Sequence, residues 1–569
     1  IGGALVARPV NWFLGIFFRQ FNRVFDWITQ AYGWGVSKLL RLSAIVLVVY
    51  GGLVGLTYFG LTSVPTGFIP PQDKGYLIVN IQLPDSSSLE RTKEVTARIE
   101  KIAHELEGVA HTVSIPGQSF VLNAISSNFA SMFVVFEPFH DRHGAGLDAD
   151  SIAEKLRLRA DREVQEAQVA VFNAPPVEGL GNAGGFKLMI EDLSDTSLDT
   201  LQGQADNLAE QANHQPGIVG VINTFRADTP QLFVDVNRSK CKMMGVPLSE
   251  VFDTLQFYLG GYYVNDFNLF GRTWQVNVQA EAPYRMTAAG VKQLRVRGAD
   301  GQMVPLGTVA DIQDSSGPVM LTRYNMHTAA ALNGGWLPGI SSGQVISTME
   351  ALADEDLAES MAYEWTELTY MEKMAGSTAI FAFIGAVVLV FLVLAAQYES
   401  WSLPLAVLLV VPMCLLSAVA GVALAKMDIN IFVQVGFIVL VGLASKNAIL
   451  VVEFAREAQR VEGVTPLEAT IAACKARLRP IIMTSFAFIL GVAPLVVATG
   501  AGAEMRRTLG VAVFSGMLGV TAFGLLLTPV FYYVIERFVT GRKAEKVKHP
   551  VERREQPVAT AVVEPLPKG

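Results

Sequence analysis

The chain has 569 residues, 51% of them hydrophobic and 17% charged, with a mean hydropathy of +0.37, which argues against a purely soluble protein and for membrane spans joined to a sizeable soluble part. A net charge of −8 and a pI near 5.6 give no basic field, and no basic run interleaves with aromatics, so nucleic acid is not an expected partner. Cys241, Cys414 and Cys474 stand singly and support neither a disulfide framework nor a metal site.

The opening IGGALVARPVNW has no initiator methionine and no signal-peptide architecture, so the chain reads as starting inside a longer protein. From Val10 to Ala31, Phe13, Phe17, Phe21, Val24, Phe25 and Ile28 recur at helical spacing beside Arg19, Gln20, Arg23 and Asp26. This predicts an amphipathic helix, so residues 1–41 form an interfacial segment in contact with membrane lipid. Residues 42–61 are uncharged and long enough to span a bilayer.

Residues 62–374 contain no spanning run and form a large insertion. Its first part, 62–178, predicts a strand at Tyr76–Leu83, a helix at Leu89–Leu106, strands at Val109–Ile115 and Phe129–Phe136, a helix at Ser151–Gln165 and a strand at Gln168–Phe172. That β-α-β-β-α-β order is the ferredoxin-like split unit. After the glycine-rich GLGNAGG (Gly179–Gly185) the order begins again over 179–374, with strands at Phe186–Ile190, Val219–Ile222 and Gln231–Val236 and helices at Leu198–Ala212 and Leu248–Leu259. A strand-rich insertion opening with GGYYVNDF interrupts it at about 260–314, and Val319–Leu332, Gly343–Leu352 and Tyr363–Leu368 complete it.

Five further spans over 375–535 bring the expected total to six: Ala375–Ala396, Leu403–Ala425, Ile431–Phe454, Ile481–Thr499 and Leu509–Ile535. A loop over Ala455–Arg479 would carry Arg456, Arg460, Lys475, Arg477 and Arg479, and the tail carries Arg537, Arg542, Lys543, Lys546 and Lys548. The positive-inside rule puts these in the cytoplasm and residues 62–374 outside, in the periplasm of a diderm bacterium. The tail, 536–569, is polar and proline-bearing and reads as disordered.

Within the spans, IFVQVGFIVLVGLASKNAILVVEF (Ile431–Phe454) holds one lysine, Lys446, roughly 22 Å from Ile431 and about 10 Å from Glu453 at about 1.5 Å per residue. A lysine so deep costs about 2.5–3.5 kcal/mol on insertion scales, so it either snorkels to the nearer interface or belongs to an ion or substrate pathway. Flanking Ser445 and Asn447, with Gly436 and Gly442 small enough for close helix approach, favour burial among helices. Thr484 in RLRPIIMTSF (Arg477–Phe486) can join Lys446 and Asn447 from the next span, with Pro480 suited to a helix start and Arg477 near the cytoplasmic mouth. Glu399, Glu453, Glu504 and Glu536 all sit at span ends, so the counter-charge is expected from outside this chain. No phosphate-binding glycine loop points to ATP, and no cofactor or metal site is expected. His140 and His143 in FHDRHG read as a polar loop and not as ligands.

These stretches carry a resemblance. AAQYESWSLPLAVLLVVP (Ala395–Pro412), VGLASKNAILVVEFA (Val441–Ala455), RLRPIIMTSFAFILGVAPLV (Arg477–Val496) and TPVFYYV (Thr528–Val534) resemble the second half of a resistance-nodulation-division (RND) multidrug efflux transporter of the hydrophobe/amphiphile class, AcrB-like. PTGFIPPQDKG (Pro65–Gly75), DTPQLFVDV (Asp228–Val236), YVNDF (Tyr263–Phe267) and ADGQMVPLG (Ala299–Gly307) extend it over essentially the whole chain. The resemblance implies half of a twelve-helix pseudo-repeat and two porter subdomains with a docking domain inserted at about 260–314. It implies a proton relay of Lys446, Thr484, Arg477 and Asn447, with two adjacent aspartates supplied by the other half. It implies a drug:proton antiporter of the inner membrane that exports amphiphilic or hydrophobic compounds, driven by the proton gradient and not an enzyme. The implied partners are two further copies in a homotrimer, a periplasmic adaptor and an outer-membrane channel. A switch loop at Pro116–Asn123 and aromatic pocket positions at Phe120 and Phe133 follow from the same pattern. Gln118 and Val113 stand where many members carry phenylalanine. Alternatives within the superfamily are a protein-export assisting subunit or a metal-ion exporter.

Overall fold

The computed structural model describes residues 2–142, 144, 146–376 and 378–546, without the side chains of 2–19, Glu462 and 539–546. The chain divides into two compact units, a sheet unit of 71–373 and a helical unit of 1–70 with 374–569. Each is taken by itself.

The sheet unit opens with β1 (Tyr76–Gln82), β2 (Val109–Ser119), β3 (Ala124–Phe136) and β4 (Gln168–Asn173), all antiparallel in the order β2-β3-β1-β4. Helices Leu89–His104 and Ala149–Glu163 cover one face, each started by a side chain that accepts from the third residue on, Ser88 from Arg91 and Asp148 from Ser151. Alternation does the rest: Leu77, Val79 and Ile81 meet Val95, Ile99 and Leu156 on the helix side, and Ile78, Phe133 and Phe172 fall on the other.

The second sheet contains β5 (Phe186–Asp192) and β6 (Ile218–Asn223), then, far along the chain, β13 (Thr322–Tyr324), β14 (His327–Trp336) and β15 (Met361–Trp365). β5 lies between β14 and β15, and β6 pairs with β14, while helices Leu198–Asn213 and Ser342–Asp356 supply its core. Between these strands, β7 (Thr229–Val236) does not join the sheet. It pairs along its whole length with β12 (Ala310–Gly317), and the enclosed segment has its own core around Val251, Val296, Leu306 and Val309. The separate piece therefore begins at β7, earlier than the expected 260, and β7 and helix Leu248–Leu255 belong to it and not to the second split unit. Within it, β8 (Tyr262–Leu269) and β9 (Arg272–Val278) form an exposed hairpin, and β10 (Arg295–Arg297) pairs with β11 (Met303–Pro305).

The helical unit begins with helix Gly2–Arg41, and among the described residues six helices are long and apolar enough to cross a membrane: Ser43–Ser63, Glu367–Tyr398, Leu403–Leu424, Ile431–Val461, Pro466–Val496 and Ala503–Phe538. Two boundaries differ from expectation. Residues 455–479 are not a loop: helix Ile431–Glu462 stops at Gly463, which takes the left-handed conformation, and the next helix starts two residues later behind the capping box of Thr465 and Glu468, with Pro466 at its first turn. Pro480 therefore lies inside a helix and does not start one. The last helix runs to Lys546, so the tail is helical past Ile535, and its remainder, 547–569, lies outside the described residues. Pro529 within it cannot bond the Leu525 carbonyl, which instead accepts from the Tyr32 hydroxyl at 2.7 Å and so ties the first helix to the last.

Candidate proton-relay and drug-pocket sites

The lysine helix, Ile431–Glu462, is anchored at its start by buried Asn430, whose side-chain oxygen accepts from the amides of Phe432 and Val433. Its inner face is packed by other helices: Leu440 lies where a side chain on Gly516 would sit, 2.3 Å from the position of its Cβ, and Gly436 meets Ala512 and Val513. The other face is open. Val435, Val439, Gly442 and Lys446 recur at helical spacing and all are exposed, with nothing within 4 Å of the Cβ position at Gly442. Lys446 is thus not buried among the six helices, as its neighbours suggested. The sequence did not show this because the apolar residues on every side of this helix do not say which side is covered.

The Lys446 ammonium lies 5.0 Å from the centroid of the Phe488 ring on the following helix. It joins none of the ion pairs among the described residues. Asn447, one residue on, is buried and donates to the Ser485 hydroxyl at 3.1 Å, fixing the two helices at this level. Thr484 beside it is half-buried and donates to Ile481 of its own helix at 3.1 Å. Ser445 donates likewise to Val441 at 2.8 Å. Arg477 lies two turns before Thr484 with its guanidinium carbon 3.2 Å from the centroid of the Phe454 ring, and its Nε is buried without a partner. The four expected relay residues therefore fall on one helix pair, where Ser485, Phe488 and Phe454 are the side chains that Asn447, Lys446 and Arg477 touch. Counting helical steps from Arg477 through Thr484 would have found one of them, Phe488.

In the sheet unit, PGQS is strand and not loop: β2 runs to Ser119, Gln118 pairs with Ile125, and only 120–123 form the turn, with Asn123 at φ 53°. A buried polar ring pins that turn. The Ser119 hydroxyl donates to Asn80 at 2.6 Å and accepts from the Leu122 amide at 3.1 Å, while the Phe120 amide donates to the Ser131 hydroxyl at 2.9 Å. Ser119, Asn80 and Ser131 are all buried. Phe120 is half-buried with its ring 5.4 Å from that of Phe133, which lies 6.2 Å from Tyr76. A cavity of about 270 Å³ opens next to this cluster, between the turn (Val121–Ala124) and Lys187, Met189, Ala329, Ala331 and Asn333 of the second sheet, with Arg226 at its wall. Phe120, Phe133 and Gln118 do not line it; the residues just after Phe120 do. Lys187 there is held by Glu367 at 2.9 Å.

No group of three or more His, Cys, Asp or Glu suited to a metal ion occurs among the described residues. Exposed His140 contacts Asp141 at 3.3 Å, and His143 lies outside the described residues.

The profile described as the AcrB/AcrD/AcrF family matches residues 5–536. The chain is 35% identical over 530 residues to the multidrug export protein AcrF of Escherichia coli K12, which covers 93% of this chain and 51% of the relative. Multidrug resistance protein MdtF of the same strain is 35% identical over 532 residues, with 93% and 51% covered. The multidrug/solvent efflux pump membrane transporter MepB of Pseudomonas putida is 34% identical over 545 residues, with 95% and 51% covered. The chain spans about half the length of the curated relatives it matches.

Proposed function

Since the chain belongs to the AcrB/AcrD/AcrF family, we propose that it forms one half of an RND transporter of the bacterial inner membrane that exports drugs and other amphiphilic compounds in exchange for protons. The observation that carries this reading is the Lys446 ammonium on an open helix face, with an aromatic ring beside it and no acid paired with it among the described residues. A charge at that depth is costly unless a carboxylate meets it, so the rest of the transporter supplies acids to this face, and protonation of those acids decides whether Lys446 is held or released. Asn447 and Ser485 hold the two helices in register, Thr484 offers a hydroxyl to the released ammonium, and Arg477 carries a second cation toward the end rich in arginine.

The β-α-β-β-α-β order and the matching strand orders of the two sheets support ferredoxin-like porter subdomains, with the separate piece of 229–317 as a docking domain. In this reading the cavity at Val121–Ala124 receives drug, the sheet unit lies in the periplasm, and the transporter works as a trimer with an adaptor and an outer-membrane channel. The test is reconstitution of the complete transporter in vesicles with an imposed pH gradient and a fluorescent drug. Drug movement should raise proton flux and stop when a protonophore collapses the gradient. Drug movement indifferent to the protonophore would overturn the antiport.

A further inference from the structure

Two cations reach the cavity of about 270 Å³ in the sheet unit, Lys187 and Arg226, and among the described residues that line it there is no Asp or Glu. A concave, mostly apolar site orients and selects its ligands through the few polar groups in its wall, so what matters is which of those groups the protein leaves unmet. The two cations differ in this. Lys187 is paired with Glu367 at 2.9 Å, so its charge is met inside the unit. The Arg226 side chain is 25% exposed, stands 3.7 Å from Asp206 and donates to the Gln168 side chain at 3.4 Å, both at the outer limit of contact. Asp206 has other partners: one of its oxygens accepts from Asn223 at 2.9 Å and the other from Gln202 at 3.2 Å. Arg226 can therefore leave that acid without stranding it. It also lines two open grooves, of about 380 and 370 Å³, and so borders open space beyond the cavity itself. In the same wall, Asn333 of β14 is 8% exposed and its side chain has no hydrogen-bond partner among the described residues. Phe129, Met189, Phe225 and Met320 give the lining its apolar part.

We infer that this cavity prefers amphiphilic anions, molecules with one carboxylate or sulfonate beside an apolar body, and that Arg226 sets the preference, an inference that rests on the reading of the cavity as a drug site. A guanidinium is a planar fork that meets such a head group with two parallel hydrogen bonds, and an anion offers it a stronger partner than the long contacts to Asp206 and Gln168. The Asn333 amide is a further donor for a polar atom of the ligand, and the aromatic rings and thioethers cover its body. A cationic amphiphile of the same size meets Arg226 as a like charge and finds no carboxylate in the lining to offset it.

The experiment titrates the complete transporter in nanodiscs with pyrenebutyrate, pyrenebutanol and pyrenebutylamine, which share one fluorescent body and differ in head-group charge. Anisotropy gives each Kd, with empty nanodiscs as the blank. Pyrenebutyrate should bind about tenfold more tightly than the alcohol, and the amine more weakly than the alcohol. Arg226→Gln should bring the ratio of the butyrate and alcohol Kd values close to one, Arg226→Lys should keep most of it, and Arg226→Glu should make the amine the tightest of the three. Equal binding of butyrate and alcohol by the wild type would overturn the preference. So would a ratio that Arg226→Gln leaves unchanged while all three affinities fall together, since that is how a merely structural arginine behaves. Export of the same probes from vesicles under a pH gradient is read separately. A ratio that follows Arg226 without export of any probe would uphold the anion site and overturn drug export, and export with a ratio indifferent to Arg226 would do the reverse.

Discussion

At the hairpin turn of the sheet unit, buried Ser119, Asn80 and Ser131 meet one another and two backbone amides within the unit: Ser119 bonds Asn80 and the Leu122 amide, and Ser131 takes the Phe120 amide. In the helical unit Lys446 has the Phe488 ring beside it on a helix side that is otherwise exposed, and no acid pairs with it among the described residues. The first arrangement is complete as it stands and gives a defined shape, a turn held against a cavity. The second is complete only when something else arrives with negative charge. Closed polar networks make scaffolds, and in the reading proposed above the open one is where the proton gradient acts.

The largest expected effect is at the open site. Lys446→Ala in the complete transporter should lower drug-linked proton flux by about 100-fold or more, the scale on which a proton-transfer group acts, at near-normal protein level. Drug accumulation in energised cells measures it. Efflux at the wild-type level would return the lysine to snorkelling and remove the contrast between the two units.

Thr484→Ala should cost less, about tenfold or below, because a hydroxyl carries no charge and this one already donates to Ile481 within its own helix. Proton flux in vesicles across a pH series checks it. A variant matching wild type at every pH would reduce the relay to Lys446 alone.

How much of this was legible follows the same divide. The spans were readable because about twenty apolar residues in a row suit a bilayer and little else. Which side of the lysine helix is open was not, since Val435 and Val439 outside and Val441 and Leu440 inside are the same kind of residue. The strands of the sheet unit were readable by alternation, but alternation does not name a partner. β7 alternates as well beside β12 as it would beside β5, and only the pairing separates the inserted piece. The helix start at Pro466 was written in Thr465 and Glu468, and the nearby arginines hid it by reading as a loop. The residues proposed for the relay were named from the resemblance and from the oddity of a lysine in an apolar run. The cavity was not, because its walls are contributed by strands distant in sequence.

On the closed side, Ser119→Ala should leave the Asn80 oxygen and the Leu122 amide unpaired while buried, a cost of about 1–3 kcal/mol. Hydrogen exchange is the measurement, with faster exchange at the Leu122 amide and little change in the helical unit. Unaltered protection there would mean that the turn is held by the packing of Phe120 on Phe133 and not by the polar ring.

The smallest effect is expected from a carboxyl that the sheet unit buries at some cost. Asp150, in the first turn of helix Ala149–Glu163, accepts from the Asn173 side chain at 2.6 Å. Burial pushes its pKa above the usual 3.8; the Asn173 bond opposes this, the nearby charges of Asp148 and Asp73 add to it, and Arg157 opposes it. The folded protein therefore holds this proton more tightly than the unfolded chain does. The contribution to stability is full below 3.8 and is lost as the pH rises through the elevated folded value, so at neutral pH the ionised carboxylate is a net burden. Asp150→Asn keeps the shape and can keep a bond to Asn173. Its melting temperature should exceed that of the wild type at pH 7, by less than the Ser119 change costs, and the difference should shrink toward zero as the pH falls below about 4. A variant less stable than wild type by the same amount at every pH would show that Asp150 acts through helix-start geometry and not through its charge.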